Sequence, residues 1–229
     1  MNNLAIIPAR GGSKTIPKKN LKNIAGLPLI AWTINSALVS KNINKIVVST
    51  DDENIAEVSE KYGAEVPFIR PEELATDEAP TEIAIMHAIN FVKNEQNYKP
   101  DNIILLQCTS PVRNPFSIDK AIEEFTNKKA DSLLSVCEYK HFLWKNLNHL
   151  EADYDYQNRP RRQDITKDKL KFKENGSIYI TNCEKFIEHK NRLCGRMVAF
   201  QMTEEESFEI DTELDWLLVE AILTSREKK

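Results

Sequence analysis

Apolar positions along this chain alternate between unbroken short runs and a helical period. Residues 3–7 form an apolar run read as a strand. Pro28 suits the first turn of a helix reaching about residue 38, with Leu29, Ile30, Thr33, Ile34 and Ala37 on one face. Residues 45–50 are β-branched and predict a second strand. Asp51 or Asp52 caps the next helix and Gly63 ends it. Residues 65–69 read as a strand, and 81–93 as a helix with Ile85, Ala88, Ile89 and Val92 inward. The run 102–107 has the look of a strand buried on both faces. A helix over 116–125 and a strand over 131–136 follow. After a gap come a strand at 177–181, a helix at 183–189, a strand at 197–201 and a last helix over about 213–223.

Repeated strand–helix units predict an α/β fold, with a mostly parallel sheet and helices on both faces. In such folds ligands bind beyond the carboxyl ends of the strands. Four segments stand there: 8–20, Asp51-Asp52, 107–113, and Asn175-Gly176, read as a tight turn that brings backbone near a ligand. The stretch 139–174 breaks the rhythm. It is polar, aromatic and basic, and because the pattern resumes after it, it reads as an arm inserted into a single domain spanning 1–229.

Composition narrows the class. The 229 residues are 41% apolar and 29% charged, as in ordinary soluble domains. Four widely spaced cysteines form no CxxC, which disfavours a disulfide framework or zinc site and fits a reducing cytoplasm. No signal peptide is read, and no run of 18 apolar residues marks a membrane span. A net charge of −4 argues against a dedicated nucleic-acid binder. The charges are segregated, however. Residues 1–50 carry seven Lys/Arg and no acid, 203–215 seven acids and no base, and 159–173 seven Lys/Arg against two Asp. Basic blocks framing an acidic one suit an anionic substrate and a divalent metal.

The segment after the first strand is the richest in chemistry. Pro8, Ala9, Arg10, Gly11, Gly12, Ser13 and Lys14 lead to Lys18, Lys19 and Asn20. Adjacent glycines let backbone N–H groups turn toward an anion, and the cations supply countercharge. Neither GxxxxGK[ST] nor GxGxxG is present, so a polyphosphate is expected without a P-loop or dinucleotide fingerprint.

IIPARGGSK-x-IP-x-KN, GLPLI, VSTDD, RPEELATD, LLQCTSPVR, RPRRQD, ENGSIYI and IDTELDW occur in that order over nearly the whole chain. Together they resemble the acylneuraminate cytidylyltransferases, the CMP-sialic acid synthetases. The resemblance implies a Rossmann-like nucleotidyltransferase fold with a projecting dimerisation arm, a likeness to homodimers, and a cytoplasmic enzyme. It implies transfer of CMP from CTP to the anomeric hydroxyl of a nine-carbon α-keto acid sugar, with Mg²⁺ and release of pyrophosphate. Neighbouring readings are a 3-deoxy-octulosonate cytidylyltransferase and a non-catalytic nucleotide-binding protein.

By the same resemblance, residues 8–14 with Lys19 and Asn20 hold the nucleotide, and Arg10 and Lys19 neutralise the leaving pyrophosphate. Lys18 and Lys22 read as solvated. Arg70, Asp77 and Thr81 match the base-reading segment. Gln107 and Ser110 stand where sugar binding is expected, and Cys108 reads as a packing thiol. Arg162, Gln163 and Lys173 match a carboxylate-binding group, while Arg159 and Arg161 read as structural or interfacial. Asn175 and Gly176 complete the sugar side. Glu209 and Asp211 fall on one side of an extended segment and are the expected metal pair, with Asp211 the firmer ligand and also catalytic. Asp215 reads as a first-turn helix acid. His87 reads as packing, and His141 sits in the arm where a substrate role is open. No histidine is assigned to catalysis.

Overall fold

The computed structural model describes residues 1–227. The elements follow in chain order: β1 (Asn3–Pro8), β2 (Asn23–Ile24), β3 (Leu27–Pro28), α1 (Leu29–Val39), β4 (Lys45–Ser49), α2 (Glu53–Lys61), α3 (Thr81–Glu95), β5 (Asn102–Leu106), α4 (Ser117–Asn127), β6 (Ser132–Tyr139), β7 (Trp144–Lys145), β8 (Glu151–Ala152), β9 (Lys171–Asn182), α5 (Cys183–His189), β10 (Met197–Met202) and α6 (Glu213–Glu227). Six strands form one sheet in the order β10-β6-β9-β5-β1-β4. All are parallel to their neighbours except β9, which runs antiparallel to both β5 and β6. The mostly parallel α/β expectation holds.

Strand alternation explains the two-sided burial. Ala5, Ile7, Val48, Ile104 and Leu106 face a core closed by α1, α2 and α4, through Ile30, Ile34, Ile55, Ile118 and Phe125. Leu4, Ile6, Val47, Ile103 and Leu105 face the other, closed by α3 and α5 through Ile85, Ala88, Ile89, Val92 and Phe186. A third cluster seats α6, with Trp216, Val219 and Leu223 against Ile16, Ile24, Leu29 and Val112.

Asp52 is the N-cap of α2 and accepts from the amides of Asn54 and Ile55. Gly63, at φ +96°, follows that helix as expected. Two local expectations need correction. Residues 65–69 form isolated bridges and no strand, Glu65 to Val47 of β4 and Ile69 to Thr50 just beyond it, and Pro67 between them has no N–H to give a ladder. Asn175 and Gly176 form no tight turn. They lie inside β9, where its register against β6 shifts between Leu134 and Val136. This irregularity absorbs the positive φ of Gly176 (+61°) without ending the strand.

Tyr139 of β6 pairs with Lys171 of β9, so residues 140–170 leave and rejoin the sheet at neighbouring positions. The arm carries the β7–β8 hairpin, two single 3₁₀ turns (Arg162–Asp164 and Lys167–Lys169) and a stack of Phe142, Trp144, Tyr154 and Tyr156. Leu143, Trp144, Leu147, Leu150 and Tyr156 are exposed on it.

Candidate active site

A cavity of about 330 Å³ opens at the carboxyl ends of β1 and β5. The loop after β1 gives it Pro8, Arg10, Gly12, Ser13, Lys19 and Asn20. Arg70, Asp77 and Thr81 come from the segment that leads into α3, and Gln107 from the end of β5. Nucleotide-side residues separated by up to about seventy positions therefore share one recess.

Their support is local and specific. Asn20 donates through its side-chain amide to the carbonyl of Arg10 at 2.9 Å, tying the two ends of the loop. Lys18, at φ +51°, turns the chain into the 3₁₀ turn Lys19–Leu21 that aims Lys19 inward. Lys19 Nζ donates to the carbonyl of Ile210 at 2.8 Å and lies 3.9 Å from Asp211 Oδ1. Burial lowers the Lys19 pKa, and the charge of Asp211 opposes that shift. Gly11 departs from expectation: its amide donates to Asp51 at 3.0 Å, and a side chain is excluded there because a Cβ would meet Asp52 Oδ2 at 2.7 Å. Ala9 also belongs to the core, with its amide on the Ser49 carbonyl.

Arg70 is buried beside Asp51 at 3.6 Å. Burial pulls its pKa down and Asp51 pulls it up. Arg70 lines the cavity, and its Nε is buried without a hydrogen-bond partner among the described residues. Asp77 is not free to read a base: one oxygen is in tight contact with Arg10, the other is 2.9 Å from Lys14 Nζ. These pairs hold its pKa below the usual carboxylate value.

Cys108 is fully buried, and its thiol is pushed up to about 12. It is a packing group, not a nucleophile. Arg113 deserved more weight than its motif suggested. It is buried, and its guanidinium donates to the carbonyls of Gln107 (2.9 Å) and Ser177 (2.8 Å) and to the Thr33 hydroxyl (3.1 Å). It thus clamps the end of β5 to β9. Burial draws its pKa down to about 10, leaving it charged near neutrality.

The acidic block is equally anchored. Ile210 is buried, and its amide donates to Thr109 at 2.8 Å. Glu209 beside it is half-buried and Asp211 is exposed. Thr212 and Asp215 form a reciprocal capping box at the start of α6, and Asp215 also accepts from the Asp211 amide at 3.1 Å. Asp215 therefore does more than favour the helix dipole; it fixes the backbone under Asp211. Glu209 is pushed up first by burial and then by the charge of Asp211. Two repelling carboxylates with no thiolate or imidazole beside them are the donor set of a hard, oxygen-seeking divalent cation, so the residues fit Mg²⁺. Among the described residues no group of three or more His, Cys, Asp or Glu is poised on one metal.

Gly176 joins these parts. A Cβ on it would lie 2.8 Å from both Gln107 Oε1 and Glu209 Oε2. Three segments far apart in sequence converge over its Cα. Ser110 and Asn175, by contrast, are wholly buried and face the protein. The Ser110 hydroxyl donates to the Asn175 carbonyl at 3.2 Å. The Asn175 side chain accepts from Ser135 at 2.6 Å and donates to Ser207 at 3.0 Å. The irregular β6–β9 register leaves polar groups inside the sheet, and these residues satisfy them. They position the site and do not line it.

Arg162 and Lys173 line a second cavity, of about 520 Å³, under the arm together with His141. Lys173 Nζ donates to the Ser207 carbonyl at 3.3 Å. Gln163 lies on the exposed 3₁₀ turn beside Arg162 and does not line this recess. Ser207 and Phe208 belong to the second cavity, and two residues on, Ile210 meets Lys19 of the first. The acidic segment thus runs from one recess to the other. A chain of contacts that sequence reading missed runs alongside: Glu82 accepts from Arg192 (2.7 Å), Arg192 stacks 4.8 Å over the Tyr179 ring, and the Tyr179 hydroxyl bonds Glu174.

Comparison with known proteins places this geometry. A family model described as "Cytidylyltransferase" matches residues 4–224. A pseudaminic acid cytidylyltransferase of Campylobacter jejuni is 36% identical over 193 residues, 82% of each chain. A CMP-N,N′-diacetyllegionaminic acid synthase of Legionella pneumophila is 36% identical over 231 aligned positions, 97% of each chain. A solved CMP:2-keto-3-deoxy-manno-octonic acid synthetase in complex with CTP shares the fold, with a TM-score of 0.73 at 16% identity over 99% of this chain and all of that one. With a Rossmann-like nucleotidyltransferase sheet, a cation-lined cavity at its carboxyl edge and a family match across nearly its whole length, the chain belongs to the cytidylyltransferase family.

Proposed function

We propose that this enzyme transfers CMP from CTP to the anomeric hydroxyl of an acidic nine-carbon α-keto sugar of the sialic, legionaminic or pseudaminic kind. The observation that carries the reading is the convergence of Arg10, Lys19, Arg70 and Gln107 on one cavity, with Glu209 and Asp211 held beside it through Lys19 and Gly176. The names of the relatives favour this sugar class.

In this reading the anomeric hydroxyl attacks the α-phosphorus in line, the bond to the bridging oxygen breaks, and pyrophosphate leaves. Pro8, Gly12, Ser13 and Asn20 shape the triphosphate side. Arg10, Lys14 and Lys19 take up the charge that grows on the leaving group. Arg70 offers its guanidinium to an acceptor of cytosine, beside Thr81. Gln107 and the Gly176 backbone meet the sugar, whose carboxylate pairs with Arg162 and Lys173. Asp211 and Glu209 would hold a divalent cation, which would supply neutralisation of phosphate charge there. Positioning and electrostatics do the work, and no covalent intermediate on Cys108 is required.

The exposed apolar side chains of the arm support a homodimer built through it, within a single-domain chain. No helix of the described residues is long and apolar enough to cross a membrane, and we place the reaction in the cytoplasm, where CTP is made. The decisive assay measures pyrophosphate release from CTP with N-acetylneuraminate, legionaminate, pseudaminate and 3-deoxy-octulosonate in parallel. Release with one nine-carbon acid well above the eight-carbon acid is expected. Release with none, beside an active control enzyme, refutes the reading.

A further inference from the structure

The phosphate-side cations of this site already have a partner. Asp77 projects from the strap between Pro71 and Pro80 and sets one carboxylate oxygen on Arg10 and the other on Lys14. Both cations belong to the loop after β1, and Arg10 and Asp77 line the same cavity. We propose that Asp77 is a built-in competitor for the nucleotide's phosphates, which the triphosphate must displace from Arg10 and Lys14 in order to bind. The inference rests on the reading that this loop receives the triphosphate.

Several features favour a displaceable contact over a permanent brace. The backbone hydrogen bonds of the strap are local: Leu74 to Pro71, Ala75 to Glu72, Ala79 to Thr76. Among the described residues no backbone hydrogen bond ties it to the loop it faces. The pairs are solvent-screened, with the Asp77 side chain 39% exposed and Lys14 74% exposed. Contacts of that kind are individually weak. The neighbouring acid, Asp51, is built differently. It sits at 22% exposure, accepts from the Gly11 amide and neighbours buried Arg70, so it is part of the scaffold. A carboxylate spanning two cations resembles a phosphate in charge and in oxygen spacing. A small anion gains little by replacing it at either cation alone. A triphosphate can replace it at both and still reach Lys19. The contact therefore sets a threshold that separates the polyphosphate from single anions by an unfavourable exchange as well as by attraction.

The test is calorimetric titration of the full chain with inorganic pyrophosphate, without added divalent metal. Asp77→Asn keeps the shape and removes the competitor. Glu78→Gln, on the adjacent exposed residue, removes the same charge without touching either cation and serves as the control. The expected result is pyrophosphate binding about three- to tenfold tighter in Asp77→Asn, the size of losing two exposed ion pairs. Glu78→Gln should change it less than about twofold, as a screened distant charge does. Introducing Lys14→Met should shrink the gain from Asp77→Asn. An Asp77→Asn variant that binds no tighter than Glu78→Gln, or more weakly than wild type, overturns the proposal. The phosphate-loop reading is judged separately: Arg10→Ala binding pyrophosphate as well as wild type would sink that reading whatever Asp77 does.

Discussion

The two recesses on either side of the acidic segment differ in what holds their cations. Around the first, Lys19 is pinned on the Ile210 carbonyl, Arg70 is buried against Asp51, and fully buried Arg113 ties the floor together. Around the second, Arg162 stands exposed on a 3₁₀ turn, and Lys173 has one long bond to Ser207. One wall is assembled from the ends of buried strands, the other from an arm. A triphosphate is the same in every turnover and rewards rigid donors that need no reorganisation. Acid sugars of this class vary in their substituents, and a loosely held wall can follow them. The rigid recess should thus dominate rate, and the loose one should dominate choice of sugar.

Substitutions rank along that contrast. Lys19→Met should have the largest effect, lowering kcat/KM about a hundredfold, as loss of one preorganised charged donor does. Steady-state kinetics with the accepted sugar check this, and a loss smaller than that of Arg162→Ala would break the contrast. Arg10→Ala and Asp211→Asn come next, each costing at least about tenfold in turnover. Near-normal turnover in both would remove them from the catalytic group.

Gly176→Ala follows. It forces a Cβ to within 2.8 Å of Gln107 and Glu209 at a positive φ, so thermal unfolding should show about 1 kcal/mol of lost stability, with turnover reduced several-fold. Unchanged turnover would mean that the three segments need not meet there. Arg162→Ala should be milder, raising the sugar KM about three- to tenfold while the CTP KM stays within about twofold, as loss of an exposed ionic contact does. A rise in the CTP KM of equal size would merge the two recesses into one.

The smallest effect is on pH-dependent stability. Glu209 has a raised pKa in the fold, so its contribution is fully favourable only when it is protonated, and is lost as pH rises through the folded value. Metal-free Glu209→Gln should therefore be more stable than wild type near neutrality. The difference should vanish below the ordinary carboxylate range. A variant less stable at neutral pH would show that the carboxylate is satisfied without a cation.

Much of this was legible because the chain repeats one device. Apolar runs that alternate inward on both faces mark β1, β4 and β5, and the helical period marks α1, α3 and α4. The loop after β1 was readable as a ligand loop, and Arg10, Gly12, Ser13 and Lys19 do line one cavity. The failures share a cause: they depend on partners remote in sequence. Asn175-Gly176 has the composition of a turn, yet cross-strand pairing with β6 holds it in β9. Ser110 looks like a ligand residue but satisfies a carbonyl sixty-five positions away. Gly11 looked available to an anion until Asp51 took its amide. Asp77 matched a motif, but only the folded loops show that it faces Arg10 and Lys14. One miss was avoidable, since Thr212-x-x-Asp215 is a capping box by spacing alone.

The reversed direction of β9 carries a consequence of its own. Because β6 and β9 are antiparallel and pair at Tyr139 and Lys171, everything between them is, topologically, the loop of a hairpin. Such a loop can lengthen, shorten or be exchanged without re-threading the sheet, since its two ends stay side by side. The arm, with Arg162 and His141, is in that sense a modular attachment, mounted at the edge where the chemistry happens. A local edit there leaves the ends of β1 and β5, and the cavity they carry, in place.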